Sequence, residues 1–183
     1  GERMSKLSSK QLVYASAAIA LAMVTSMIKL FSMPMGGSVT LLSMLFIVLI
    51  GYWYGPAAGM ISGAAYGLLQ FVIEPYFFTI PQVVVDYLLA FGALGLSGFF
   101  RNYKYGLTIG YLAGAAGRCL FAFFSGWIFF GAYASDYGMA APVYSLVYNG
   151  SYLGAEALIT ILVIQLPPVK KALAHMKKMA LGE

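Results

Sequence analysis

The sequence predicts an all-α, polytopic membrane protein with six transmembrane helices and both termini in the cytoplasm. Two observations predict this class. Of the 183 residues, 61% are hydrophobic and only 9% are charged, and apolar runs of helix length fill most of the chain. Soluble domains carry roughly 25% charged residues, so this chain has too few polar side chains for a surface in water. A bilayer requires about 20 apolar residues per helix, and six such helices fit this length.

Turn residues divide the apolar runs into separate spans. The uncharged run from Met33 to Ile73 is too long for one helix, and Gly55 followed by Pro56 favours a turn and a new helix start within it. Thr79 is a plausible N-cap for the next span. A basic amphipathic tail, PPVKKALAHMKK, closes the chain. The predicted spans cover residues 11–31, 39–53, 56–73, 81–100, 105–131 and 143–167.

Basic residues determine the predicted orientation. With six spans, both termini and the connections after the second and fourth spans lie on one side of the membrane. The loops on the other side, about 32–38, 74–80 and 132–142, contain no Lys or Arg. The positive-inside rule therefore places the basic side in the cytoplasm, and Lys29 and Arg118 are expected inside spans. The basic side holds Arg3, Lys6, Lys10, Arg101, Lys104, Lys170, Lys171, Lys177 and Lys178.

Several classes of site are excluded by composition. A single cysteine, Cys119, excludes an internal disulfide, and together with a single histidine, His175, it cannot build a metal cluster. No nucleophile–base arrangement is evident, so we expect no enzyme, no cofactor, no metal and no nucleic-acid partner. Residues 1–183 are treated as one domain, and residues 1–3 as an expression remnant.

Asp86 is one of three ionisable residues that the spans place inside the bilayer, with Arg118 and Glu156. A charged side chain at a helix centre costs about 2.5–3.5 kcal/mol on insertion scales. Asp86 follows the start of its span by about five residues, roughly 8 Å below the outer rim, which suits a pocket open to the outside. We expect contact with a cationic ligand; the alternative is a structural pair with Arg118.

The fifth span carries a stripe that starts at Arg118 and continues through Ala122, Gly126 and Phe130 at steps of four residues. Small residues leave room for a ligand and an aromatic ring provides a flat wall. Helix packing is the alternative reading of the small residues.

The sixth span places Asn149 and Glu156 on one face, with Tyr144 near the outer end. An amide in lipid requires partners, and its donor and acceptor can recognise the edge of a heterocycle. Arg118 and Glu156 fall at similar depths on adjacent helices, so we expect them to form a structural pair. Tyr76 lies in the loop before the fourth span and adjoins these positions.

The first span offers small residues at spacings of four, a pattern that lets another helix approach closely. They serve either internal packing or docking to a separate membrane subunit. The two pairs are Ser16 with Ala20, and Ala18 with Ala22.

Four segments resemble one family in family order, over residues 32 to about 152: SMPMGGSV, PQVVVDYLLAFGALGLSG, FFSGWIFFG and VYSLVYNGSY. The chain is similar to the thiamine-binding S-components of energy-coupling-factor (ECF) vitamin transporters. The resemblance implies a six-helix subunit of the bacterial cytoplasmic membrane that binds a vitamin near its outer face. It implies as partners a transmembrane scaffold subunit and two ATPases.

The resemblance also implies roles for individual residues. The small-residue motif that contacts the scaffold falls on Ser16 and Ala20, with Ala18 and Ala22 nearby. Tyr87, beside the acidic ligand position, is expected in the same site. The substrate-binding positions are Asp86, Tyr76, Tyr87, Ala122, Gly126, Phe130, Tyr144 and Asn149.

Three departures from the family pattern affect ligand choice. Ala122 stands where relatives carry a histidine, the first outer loop has MGG where some carry a tryptophan, and Glu156 is not expected. The ligand is therefore thiamine or, alternatively, its hydroxymethylpyrimidine precursor or a B6 vitamer. A second alternative is a stand-alone transporter coupled to protons through Asp86, Arg118 and Glu156, although no inverted repeat is evident.

Overall fold

The computed structural model describes residues 7–183, so residues 1–3, with Arg3, and also Lys6 lie outside the described residues. Helices dominate this part of the chain, in agreement with the all-α prediction. A short 3-10 helix, Gly131–Tyr137, connects the two longest helices. In our numbering the helices are α1 (Ser9–Ser26), α2 (Ser43–Tyr54), α3 (Pro56–Ile73), α4 (Ile80–Phe100), α5 (Gly106–Phe129), α6 (Ala141–Ile164) and α7 (Pro167–Leu181).

Four helices within the described residues, α3 to α6, are long and apolar enough to cross a bilayer. Helix α2 is shorter, with 12 residues, but its apolar residues are almost all buried. This helix is apolar on every face because other helices surround it, as expected for a central helix. Its fully buried residues include Met44, Ile47, Val48, Leu49 and Ile50.

A β-hairpin joins α1 to α2, where the sequence predicted the end of one span and the start of the next. Strands β1 (Lys29–Ser32) and β2 (Ser38–Thr40) pair antiparallel. Gly36 and Gly37 between them have φ of 103° and 79°, a conformation that only glycine adopts readily. The predicted limits 31 and 39 were therefore wrong, and Lys29 lies on a strand rather than in a span.

Helix α4 changes its geometry along its length. It begins with α geometry at Ile80–Val83, where the Thr79 hydroxyl accepts from the Gln82 N–H at 3.2 Å, which confirms the predicted cap. It then widens to π geometry over Val84–Leu89 and tightens to 3-10 over Ala93–Phe100. The π turn contains Asp86, and such turns are frequent at functional sites.

The basic tail forms α7, which packs beneath the end of α2. The Tyr54 hydroxyl donates to the carbonyl of Ala180 at 2.9 Å. Arg101, at the end of α4, donates to the carbonyl of Trp53. The basic residues of α7 and of the α4–α5 turn therefore lie at one end of the bundle.

Candidate functional site

A cavity of about 950 Å³ lies between the hairpin and helices α3 to α6, at the end of the bundle opposite α7. Every residue that the sequence analysis expected at the substrate lines this cavity, and so do Arg118 and Glu156. The sequence separations are large, so only the fold brings these side chains together. The expected substrate residues are Tyr76, Asp86, Tyr87, Ala122, Gly126, Phe130, Tyr144 and Asn149.

The Asp86 carboxylate is held on one side by a buried glutamine. Gln82 donates from Nε2 to Asp86 Oδ2 at 2.8 Å and to the carbonyl of Tyr76 at 3.1 Å, while its Oε1 accepts from the N–H of Phe78 at 2.9 Å. No hydrogen bond from residues 7–183 reaches Asp86 Oδ1 within hydrogen-bond geometry, and the buried hydroxyl of Ser125 is the nearby side-chain donor to this carboxylate. Sequence analysis missed Gln82, although its position four residues before Asp86 places both on one helix face.

Arg118 packs against an aromatic ring rather than against a carboxylate. Its guanidinium carbon lies 4.3 Å from the centre of the Phe91 ring, within the range of a cation–π contact. Within the described part of the chain, neither Asp86 nor Glu156 forms a salt bridge with it. The predicted pair between Arg118 and Glu156 was wrong, and the alternative pair with Asp86 is not formed.

Glu156 instead caps the start of α2 from a distant part of the chain. Its carboxylate accepts from the N–H groups of Thr40 at 3.1 Å and Met44 at 3.3 Å, and from the hydroxyls of Thr40 and of Ser43. The first N–H groups of a helix have no partner within it and carry partial positive charge. Leu42, in the N-cap position with φ of 61°, offers no side-chain acceptor. Glu156 therefore supplies the missing cap.

Gly126 is required by helix packing at the cavity wall. A Cβ atom there would lie 2.2 Å from Ser145 Oγ and 3.2 Å from Asn149 Nδ2. Sequence analysis expected the small residues of this stripe to leave room for a ligand, with helix packing as the alternative; at Gly126 the missing Cβ makes room for α6. Close approach lets the Ser145 hydroxyl donate to the carbonyl of Phe123 at 2.6 Å.

Asn149 is oriented by three hydrogen bonds from its amide nitrogen. Nδ2 donates to the carbonyls of Ala122 at 3.1 Å and Ser145 at 3.0 Å, and to Ser145 Oγ at 3.2 Å. Its Oδ1 receives no hydrogen bond from the described residues. The amide therefore presents a fixed acceptor at a cavity that also holds the free oxygen of Asp86.

Aromatic rings form much of the cavity wall. The Tyr76 and Phe130 rings lie 5.2 Å apart, and Tyr137 stacks on Tyr144 at 5.5 Å. Tyr87 Oη accepts from the Tyr76 N–H at 3.1 Å and donates to the carbonyl of Glu74 at 3.2 Å, and so anchors the α3–α4 loop. Four further tyrosines line the cavity that the sequence analysis did not place at the substrate: Tyr133, Tyr137, Tyr148 and Tyr152.

The hairpin borders the cavity and packs on α6. A Cβ atom at Gly37 would lie 2.6 Å from the Tyr152 ring, so glycine is required by this contact as well as by its φ. Lys29 on β1 forms a salt bridge with Glu74 at the end of α3, with an N–O distance of 3.3 Å. The hairpin is thus tied to both neighbouring helices.

The four small residues of α1 divide between two faces. Ala18 and Ala22 are buried, with exposed fractions of 3% and 0%, whereas Ser16 and Ala20 are exposed. The carbonyl of Ala22 also accepts from the hydroxyl of Tyr66 at 3.4 Å. Ala18 and Ala22 therefore serve internal packing. Of the four small residues, Ser16 and Ala20 are the two that a partner can contact.

Comparison with known proteins adds three findings. Residues 12–176 match the sequence profile of the thiamine transporter protein family, Thia_YuaJ. The chain is 35% identical over 166 residues to the thiamine transporter ThiT of Bacillus subtilis (strain 168), covering 83% of this chain and 84% of the relative. It is also similar to the solved structure of ThiT from Listeria monocytogenes, with a TM-score of 0.74, 25% identity, and coverage of 93% of this chain and 96% of the other.

Proposed function

The chain belongs to the thiamine transporter family Thia_YuaJ, and from this premise we propose that it is the membrane subunit that binds thiamine for uptake. The observation that carries the proposal is that two oxygens at one aromatic-walled cavity, Asp86 Oδ1 and Asn149 Oδ1, accept no hydrogen bond from residues 7–183. Transport rather than catalysis is the function of this family.

Thiamine joins an aminopyrimidine to a cationic thiazolium, and the cavity offers partners for both. Asp86 Oδ1 accepts from the amino group or faces the cation, since hydrogen bonds to a charged group are the stronger kind. Asn149 Oδ1 accepts at the heterocycle edge, and Tyr144 donates or accepts beside it. Phe130 stacks on a ring, where its face attracts positive charge, and Tyr76 closes the site from above.

The described helices suit a six-span topology with both termini in the cytoplasm of a bacterial cell. Helices α1 to α6 are the six spans, and α7 lies along the cytoplasmic surface. Residues 1–183 then form one substrate-binding domain. The cavity opens outward because the end of the bundle that carries Arg101, Lys104 and the lysines of α7 faces the cytoplasm.

We also propose that an ECF module, a scaffold subunit with two ATPases, energises uptake. Ser16 and Ala20 form the contact with the scaffold, because both are small and exposed on α1. Ala20→Leu is expected to abolish co-purification with the module while thiamine affinity stays unchanged. Ala116→Leu, at an exposed alanine of α5 and therefore outside the proposed contact on α1, is the matched control. Normal assembly of the Ala20→Leu variant would show that the scaffold contacts another part of the chain.

Ligand choice is tested by titrating the purified protein with thiamine, hydroxymethylpyrimidine and pyridoxine in an isothermal calorimeter. Thiamine is expected to bind most tightly, since neither of the others combines an aminopyrimidine with a cationic ring. Ala122 favours the two alternative ligands, because relatives carry a histidine where this chain has an alanine at a buried position of the cavity wall. Tighter binding of the pyrimidine or of pyridoxine would identify a paralogue.

The transport mode is tested in proteoliposomes. The protein alone is expected to bind thiamine but not to accumulate it under a pH gradient, and uptake is expected only when the module and ATP are present. Accumulation by the protein alone, abolished by a protonophore, would instead establish a proton-coupled secondary transporter.

A further inference from the structure

A second cavity, of about 500 Å³, lies at the basic end of the bundle, between α7 and the α4–α5 turn. We call it the basic groove and define it by Lys170, Lys177 and Lys178 of α7, Tyr52 of α2, and Tyr103 and Tyr105 of the turn. No thiamine-site residue lines it, and the cavity described above is at the other end of α5 and α6. Its function is therefore separate from vitamin binding.

The lysines of the groove lack negative partners in the described chain. Lys177 is half-buried; its Nζ lies 3.4 Å from Tyr52 Oη and 4.8 Å from the centre of the Tyr52 ring. No salt bridge within residues 7–183 involves Lys170, Lys177 or Lys178. Lys170 and Lys177 are separated by two helical turns, about 10 Å. Among the described residues that line the groove, three lysine side chains accompany one carboxylate side chain, that of Glu183.

Apart from Thr108 and Gln165, which hydrogen-bond each other at 3.2 Å, the rest of the lining is mostly apolar or amphipathic. Leu107, Ile164 and Leu173 lie beside the lysines, and Tyr103 and Tyr105 are 61% and 68% exposed. Exposed tyrosines are characteristic of the membrane–water interface. Further along α5, Leu112 presents 49% of its surface outside the protein. A ligand with a negative head and hydrocarbon tails would therefore contact the lysines and the outer face of α5 together.

We propose that the basic groove binds the phosphate of an anionic phospholipid at the surface of the leaflet that contacts α7. Lys170, Lys177 and Lys178 neutralise the phosphate, while the acyl chains follow the apolar surface of α5. Basic pockets of this kind bind acidic head groups at cytoplasmic surfaces, and each Lys near such a surface contributes about 1 kcal/mol, or about fivefold in affinity. The bound lipid holds α7 against the end of α2.

The test uses the full chain in detergent, with phosphatidylglycerol and phosphatidylcholine added separately and bound lipid counted by native mass spectrometry. Lys170→Gln/Lys177→Gln is expected to weaken phosphatidylglycerol binding roughly 25-fold, about fivefold for each lysine. The matched control, Lys10→Gln/Lys171→Gln, removes two charges outside the groove and is expected to change it less than about twofold. Thiamine binding by every variant shows that the fold is intact.

Thermal unfolding gives an independent measurement. Phosphatidylglycerol is expected to raise the Tm of the unmodified chain and of the control variant, but not of the groove variant. Equal binding of the two lipids, or an equal loss in both double variants, would overturn the proposal, since only diffuse charge would then be involved. Binding of soluble glycerol 3-phosphate as tight as that of the lipid, with the same dependence on the lysines, would also overturn it.

Discussion

The two ends of α4 show how one apolar helix combines a rigid half with a binding half. In the inner half, Ala93–Phe100, small residues pack directly on the backbones of α2 and α3. In the outer half, the π turn Val84–Leu89 carries Asp86 to a cavity where one of its oxygens has no partner among the described residues. Backbone packing therefore fixes the inner half, whereas the hydrogen bond from Gln82 positions Asp86 in the outer half.

The largest predicted effect tests the rigid half. A Cβ atom at Gly95 would lie 2.1 Å from the backbone nitrogen of Met60, and backbone cannot move aside cheaply. Gly95→Ala is expected to lower the free energy of unfolding by about 3 kcal/mol through overpacking, measured by thermal unfolding in detergent. The same change at Gly154, which has open space around it, is expected to be neutral or slightly stabilising.

An equal free energy of unfolding for Gly95→Ala and Gly154→Ala would show that the inner half of α4 is not tightly packed. The two halves of α4 would then not differ in rigidity.

The next effect tests the binding half. Asp86→Asn removes the charge but keeps the size and the bond with Gln82, so the fold is expected to persist. Thiamine affinity is expected to fall by about 2 kcal/mol, roughly thirtyfold, because a hydrogen bond to a charged group is lost. Calorimetry measures the change, and Asp136→Asn, an exposed cavity-lining position, is the control. Unchanged affinity in the Asp86 variant would remove this carboxylate from the site.

Glu156 tests whether the cavity depends on the cap of α2. Glu156→Gln keeps an acceptor but removes the charge that favours the helix N-terminus. We expect the free energy of unfolding to fall by about 1 kcal/mol and thiamine affinity to change little. An affinity loss as large as that of Asp86→Asn, with unchanged stability, would show that Glu156 contacts the ligand directly.

The smallest effect concerns the exposed salt bridge between Lys29 and Glu74, whose side chains are 49% and 69% exposed. Water screens such a pair, so Lys29→Gln is expected to change the free energy of unfolding by no more than about 0.3 kcal/mol. Raising the salt concentration is expected to have an equally small effect on the unmodified chain. A loss above 1 kcal/mol would mean that this pair, and not the packing on Tyr152, holds the hairpin.

The elements that sequence reasoning located best were those governed by hydropathy and turn residues. Residues 56–73 were predicted as a span and form α3 (Pro56–Ile73), because Gly55 and Pro56 define its start locally. The hairpin was missed because its strands have only four and three residues, too few to show an alternating pattern beside the flanking spans. Its turn depends on the positive φ of Gly36 and Gly37.

The candidate site shows the same limit of local reasoning. The positions taken from family resemblance meet at one cavity, whereas the predicted pairing of Arg118 with Glu156 failed. Depth along a helix does not specify which way a side chain points, and the partners of Glu156 lie more than 100 residues away in the sequence. Sequence reasoning also could not predict that Ala18 and Ala22 are buried whereas Ser16 and Ala20 are exposed. Burial depends on how α1 packs against the other helices.

A structure determined with bound thiamine is the most direct test of the central claim. We predict that a nitrogen of the vitamin lies about 3 Å from Asp86 Oδ1, with Gln82 still donating to Oδ2 and a ligand ring beside Phe130. Thiamine bound elsewhere, or Asp86 turned away and paired with Arg118 while the cavity is occupied, would contradict the account.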